Sequence, residues 1–353
     1  MKKRNAGGER FKPCSLEIAL HIHDNLTKFF DHMPKDVTRK WFSLFIKLSV
    51  SGLCVAIVLR KADIGSIIEI LNRFPLKIWL LAFGIFLIVQ FLSAARWMIL
   101  SNAMGMQGRI SFYYQFYLIG CFFNMFLPGS VTGDAIKGYM LVKRGFPPSL
   151  VTYSVLGDRI FGVIALAIIC AVVTPAFNKL MPAGVAESVV MLSALLVVGF
   201  TTFVLWHPLA ARLLKNVLPF NIENPAFLVF WKTNVFAGAL GLSILLQVGN
   251  CIVHYLLAGG MGIGVQPWFY FFAVPVVSLF ASLPVSIQGI GVREGGFVWI
   301  MGLMDVPPEK AVALGLLSYS ISLATGFLGG VFYLKSKNSA LDSRGKQSQG
   351  NHN

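Results

Sequence analysis

Apolar residues in this chain fall in long unbroken runs, without the alternation of apolar and polar faces that marks a water-soluble core. Six runs approach the roughly 20 residues that a helix needs to cross a bilayer. They lie near residues 42–60, 78–100, 156–174, 187–206, 235–258 and 312–334. Two further apolar stretches, 111–141 and 267–303, are interrupted by proline, glycine and charge. Each reads as an apolar half, a breaker, and a polar or small-residue half. That pattern predicts a re-entrant hairpin of two half-helices, facing protein or a water-filled cavity that satisfies its irregular backbone. The expected fold class is an all-α polytopic membrane protein, with about six full spans plus two re-entrant helical hairpins in two inverted halves.

The two interrupted stretches repeat one another. LPGSVTG at 127–133 and LPVSIQG at 283–289 are 156 residues apart, and so are the aromatic runs FYYQF from Phe112 and WFYFF from Trp268. The same shift carries the second span onto the fifth and the span at 156–174 onto the last. Halves at about 42–174 and 187–334 follow, and three full spans between the hairpins invert one half relative to the other. Inverted repeats with broken helices are the design of many secondary transporters, whose site lies between the halves at the midplane.

The flanks complete the domain plan. Residues 1–40 form a basic tail with no visible cleavable signal peptide, in which an amphipathic helix on the inner leaflet and a poorly ordered tail are equal readings. Residues 41–335 form the transmembrane domain, and 336–353 a polar tail. Residues 60–77 break the charge pattern. They read as an interfacial helix with Ile64, Ile67, Ile68 and Leu71 on one face.

Composition agrees with the pattern: hydrophobic residues are 56%, charged residues 13%, and mean hydropathy is +0.71. The net charge of +15 would suit nucleic acid, but it sits in tails and loops, where it suits anionic lipid instead. Basic residues cluster on segments expected to face the cytosol, placing both termini inside a cytoplasmic membrane. The five cysteines have no CxxC spacing and read as small apolar residues. No cofactor or metal is expected: six histidines include no HxxxH pair.

The breakers carry the candidate chemistry. Pro128 and Pro284 start or stop a half-helix; Ser130 and Ser286 can cap one, and freed backbone N–H groups can bind an anion. A plain structural turn needs the same residues. Arg293, beside Glu294, offers a planar fork to phosphate oxygens, or else an internal ion pair with Asp134 or Asp158. Glu294 would set the local charge balance. Asp134 and Lys137 share a helix face. A carboxylate at this depth must be paired, hydrated or protonated, whereas Lys137 can snorkel to headgroups. Asp158 and Arg159 point about 100° apart, so each should reach toward a hairpin, as a gate or as a brace. Asn124 should bond freed backbone. Gln247, Asn250 and His254 share a face and read as interhelical hydrogen bonders before ligands. The aromatic runs read as interfacial belts before a lipid-tail path.

Three segments in order carry a resemblance: GCFFNMFLPGSVTGDAIKGYML at 120–141, GDRIFG at 157–162 and LPVSIQGIGVREGGF at 283–297, with Arg96 and Trp97 near the end of the second span. Together they resemble the flippase-like family, also called the lysylphosphatidylglycerol synthase transmembrane-region family, over about residues 42–335. Thr132, Lys137 and Gln288 depart from its usual residues, which bears on substrate rather than on family. The resemblance implies lipid translocation, with membrane lipids as partners and room for a lipid-synthesis enzyme. The soluble aminoacyl-transferase domain of bifunctional relatives has no counterpart before residue 353, so synthase activity is not expected. A phospholipid or lipid-linked anionic headgroup is the leading substrate. A secondary transporter of a small soluble anion would use the same features. An intramembrane lipid-modifying enzyme should show a nucleophile or base constellation, and none is legible.

Overall fold

The computed structural model describes residues 62–126, 132–205, 229–282 and 291–350, with Gly289 and a few isolated positions before residue 62. The tail at 1–40, most of the expected span at 42–60, and Pro128, Ser130, Pro284 and Ser286 lie outside the described residues. Among the described residues there are ten α-helices and no strand. They are α1 (Ile64–Asn72), α2 (Leu76–Ala103), α3 (Ile110–Phe126), α4 (Thr132–Val142), α5 (Pro148–Val173), α6 (Val185–Leu205), α7 (Thr233–Gly260), α8 (Pro267–Ser282), α9 (Val292–Gly302) and α10 (Pro308–Gly350).

Among the described residues four helical segments are long and apolar enough to cross a membrane: Leu76–Ala103, Pro148–Leu180, Thr233–Gly260 and Pro308–Lys335. Shorter apolar helices cover Val185–Phe200 and Pro267–Ser282. Leu81 and Ile88 on α2, Met191, Leu195 and Val198 on α6, and Phe327 and Val331 on α10 point outward. That coat suits hydrocarbon and not water. The chain is a multi-pass membrane protein. Helix α10 runs as backbone to Gly350, through most of the segment read as a polar tail.

The expected hairpins are the pairs α3–α4 and α8–α9, and the repeat extends well beyond them. Leu76 opens α2 and Thr233 opens α7, 157 positions on; Ile110 and Pro267 open α3 and α8 at the same spacing. Thr132 and Val292 open α4 and α9, 160 positions apart, as Pro148 and Pro308 do for α5 and α10. The second half therefore holds three more residues around its breaker.

Corners repeat bond for bond. After α2, the Ser101 carbonyl accepts from the N–H groups of Met104 and Met106; after α7, Ala258 accepts from Met261 and Ile263. After α4, Leu141 accepts from Arg144 and Phe146; after α9, Met301 accepts from Met304 and Val306. The turning residue is left-handed each time, Gly145 at φ 90° and Asp305 at φ 55°, and only the first suits that geometry without cost. Proline then opens the next helix, where its missing N–H costs nothing.

The equivalent helices α2 and α7 pack against each other and run antiparallel. Phe74, just before α2, lies against Gly260, Val89 against Gly249, and Ile99 against Gly238. The repeat is inverted. The halves also interlock: α3 packs on α10 and α8 on α5, each hairpin resting on the last helix of the other half. Glycine makes the first contact possible, because a Cβ on Gly329 would run into the Leu118 carbonyl, and Gly330 faces Phe122.

The smaller elements depart partly from the sequence reading. In α1, Ile67 is buried and Leu71 packs on its cluster with Val298 and Val312, while Ile64 and Ile68 point outward. The aromatic runs are core and not belt. Tyr113, Phe116, Phe269, Tyr270 and Phe272 are buried, and Trp268 alone in the second run is well exposed. A belt needs one wet edge, but α3 and α8 have neighbours on both sides.

Candidate functional site

Helix α4 is short because the breaker starts it and Gly145 turns the chain after it. Its first turns lie against α3 at two glycines: a Cβ on Gly133 would collide with the Gly120 carbonyl and with the Asn124 side chain. The Gly133 N–H donates to Asn124 Oδ1 at 2.6 Å, so Asn124 does bond backbone that the break sets free.

This close approach delivers Asp134 and Lys137 to α5, where five charged side chains form one chain of ion pairs. Arg96 Nε donates to Asp158 Oδ1 at 2.8 Å. Lys137 Nζ donates to Asp158 Oδ2 at 3.1 Å and lies 2.9 Å from Asp134 Oδ1. Arg159 Nε donates to Asp134 Oδ2. Both oxygens of each carboxylate are engaged. Arg96 Nη1 also donates to Ser243 on α7 at 2.9 Å, which ties the chain to the other half.

Burial makes the arrangement consequential. Arg96, Asp134, Lys137 and Asp158 are each under a tenth exposed, while the Arg159 side chain is 52% exposed. Three cations face two carboxylates, so these five groups carry a net charge of one plus. The buried ammonium of Lys137 is also held over the rings of Trp97 at 4.9 Å and Tyr117 at 4.5 Å. Aromatic faces attract a desolvated cation without adding negative charge. Trp97 is fixed in turn by donating to Ser154 at 3.2 Å.

Several expectations change here. Lys137 does not snorkel, because Asp134 and Asp158 hold it inside. Arg293 forms no ion pair with Asp134 or Asp158, whose oxygens are already engaged, and it has no acidic partner among the described residues. Glu294 does not balance Arg293: its carboxylate accepts from the Gly291 N–H at 2.7 Å and caps α9. Asp158 and Arg159 do not pair with each other, as their 100° separation predicts, and both reach the first hairpin, at Lys137 and Asp134 of α4. Gln247 makes no hydrogen bond to a described residue, and Asn250 takes part only through its carbonyl, 2.8 Å from His254 Nδ1. Besides its two carboxylates, Lys137 has partners outside the candidate set, the Trp97 and Tyr117 rings, and Arg96 shares Asp158 with it. Arg96 and Trp97 entered the sequence reading only as part of the family resemblance, with no partner assigned, and Tyr117 only as one aromatic among many.

Beside this network is a cavity of about 180 Å³ between α2, α3 and α10. Phe86, Gln90, Cys121, Asn124, Tyr319 and Thr325 help to line it. Among the described residues no group of three or more His, Cys, Asp or Glu side chains could hold a metal. A family model described as the lysylphosphatidylglycerol synthase TM region matches residues 44–330. No curated protein and no solved structure matches the chain.

Proposed function

Because the chain belongs to the lysylphosphatidylglycerol synthase TM region family, we propose that it moves a phospholipid or lipid-linked anionic headgroup across the membrane. On this reading the chain transports and makes no covalent change in its substrate. The observation that carries it is the surplus positive charge of the network, three cations to two carboxylates, with one of those cations half exposed. A surplus cation at membrane depth is costly unless an anion or water meets it. A phosphodiester that enters beside Arg159 supplies that charge, and a guanidinium fork matches its oxygens. Arg293, without an acidic partner among the described residues, offers a second station in the other half. The headgroup would pass between hairpins while acyl chains stay in lipid.

Charge at the equivalent corners supports an inverted placement in a cytoplasmic membrane. The corners of the first half carry Arg109, Lys143 and Arg144; those of the second carry Asp305, Glu309 and Lys310. The positive-inside rule puts the first set in the cytosol and the second outside. With that orientation both termini are cytosolic.

The test is reconstitution. Purified protein in vesicles should carry acyl-labelled anionic lipids between leaflets faster than protein-free vesicles, and Arg159→Gln should slow that movement at least about tenfold, the loss of one charge-assisted contact. Uptake of a soluble anion without lipid movement would reject lipid as the substrate and leave the rival transporter.

A further inference from the structure

The cavity beside the network has a mostly apolar wall, Phe86, Met125 and Leu323 among it, into which uncharged polar side chains are set. Gln90, Asn124, Tyr319, Ser322 and Thr325 supply its polar atoms, and among the described residues no Asp, Glu, Lys or Arg lines it. Ser322 and Thr325 donate their hydroxyl protons to the carbonyls of Ser318 and Ile321 on their own helix, so what they present inward is acceptor lone pairs. The Gln90 amide and the Tyr319 hydroxyl form no hydrogen bond with any described residue. At membrane depth such groups are expensive to leave unmatched.

The place is as telling as the lining. Gln90 sits midway along α2, and Gln247, 157 positions on, sits midway along α7. The antiparallel contacts of these helices, Val89 on Gly249 among them, bring the two glutamines to the same level on the inverted repeat's axis. This is where transporters of this design hold their cargo. Asn124 joins the two regions: it lines the cavity and accepts from the N–H of Gly133, the residue before Asp134.

We infer that the cavity seats an uncharged polyhydroxyl group, so that the substrate is an anionic lipid whose phosphodiester carries a polyol rather than an amine or an amino acid. The inference rests on the transport reading above. The phosphate takes the charge at Arg159, and the polyol hydroxyls donate to Ser322 and Thr325 and exchange bonds with Gln90 and Tyr319. Phe86 supplies an apolar wall for the C–H face of a ring. An ammonium or carboxylate on the headgroup would enter this cavity with no counter-charge on its walls, a heavy penalty at low dielectric.

The experiment compares three acyl-labelled probes in vesicles holding wild type, Gln90→Leu or Tyr319→Phe: phosphatidylinositol, phosphatidic acid and phosphatidylserine. Wild type should move phosphatidylinositol at least about tenfold faster than either other lipid, the worth of one or two neutral hydrogen bonds. Each variant should narrow the ratio of phosphatidylinositol to phosphatidic acid to within about twofold, whatever it does to absolute rates. A ratio near one in wild type means that the cavity holds only water, and overturns the inference while transport stands. A preference for phosphatidylserine overturns it too, as does an unchanged ratio in both variants. Movement of none of the three rejects the transport reading and this inference with it. Melting measurements with inositol 1-phosphate give a readout that needs no transport: wild type should be protected, and Gln90→Leu should lose most of that protection. Equal protection of both would count against the cavity.

Discussion

Asp134 and Glu294 hold the same position in the first turn of equivalent helices, 160 residues apart, yet their carboxylates do different work. Asp134 bridges Lys137 and Arg159; Glu294 closes back on the Gly291 N–H of its own helix. One binds hairpin to neighbour, the other only finishes a hairpin. Asp134→Asn should therefore destabilise by about 3–5 kcal/mol where the pair is well buried, and by less where water or lipid headgroups substitute. Glu294→Gln should cost only about 1 kcal/mol, the value of a cap. Thermal melting of the two variants in detergent measures the difference.

The Asp134–Arg159 pair is testable as a pair. Asp134→Asn with Arg159→Gln removes one charge of each sign and restores the network's original surplus. The double variant should regain much of the stability lost by Asp134→Asn, with a coupling of about 0.5–3 kcal/mol in a double-mutant cycle. Additive losses would show that the two side chains act apart. Lipid movement by the double variant should stay low, because the guanidinium is gone.

Within the same chain of ion pairs the order of losses is fixed by who is left unpaired. Lys137→Met leaves Asp158 with Arg96 and Asp134 with Arg159, so both carboxylates keep a partner. Asp158→Asn leaves Arg96 without a carboxylate in a buried site. Asp158→Asn should melt well below Lys137→Met; the reverse order would mean that Lys137 and not Asp158 is the hub.

Glycine contacts separate close packing from mere flexibility. Gly329→Ala pushes a methyl into the Leu118 carbonyl and should cost about 1–3 kcal/mol or separate α3 from α10. Gly84→Ala, with nothing within 4 Å of its new methyl, should be neutral or gain up to about 1 kcal/mol from helix propensity. Melting curves read both, and a similar loss at each site would refute the packing argument.

Topology has its own test. Val142 and Gly302 end the equivalent helices α4 and α9. Single cysteines there, in a background free of native cysteine, should react with an impermeant reagent from opposite faces of the membrane. Reaction of both from one face would refute the inverted placement.

The sequence displayed four of the spans, the helices of both hairpins and the 156-residue echo because apolar length and breakers are local signals. It also placed Asp158 and Arg159 against the hairpin, since adjacent helical residues must diverge. What it could not display was partner choice. Lys137 resembles a snorkelling lysine until Asp158 and the Trp97 and Tyr117 rings are found around it, all of them supplied by other helices. Arg96 sits inside a span and pairs across 62 positions of sequence, a distance that no periodicity reports. The aromatic runs misled for a related reason. Composition gives rings, but only packing says which edge is wet. The repeat was legible in its motif, its aromatic runs and the spacing of its spans, but not at its corners, which are written in backbone hydrogen bonds that different side chains can make equally well.

The interlocked halves bear on how such a molecule could arise. A single unit of four helices, α2 to α5, leaves the face of α5 that receives α8 uncovered, and deprives its own hairpin of the foreign last helix on which α3 rests. Only a second copy inserted upside down could cover both surfaces. An ancestor made of one unit would have had to enter the membrane in both orientations and pair with its mirror-placed sibling. Fusion of two such units would leave each copy free to diverge, and the two hairpins do differ: one holds the buried ions, the other a carboxylate that caps its own helix.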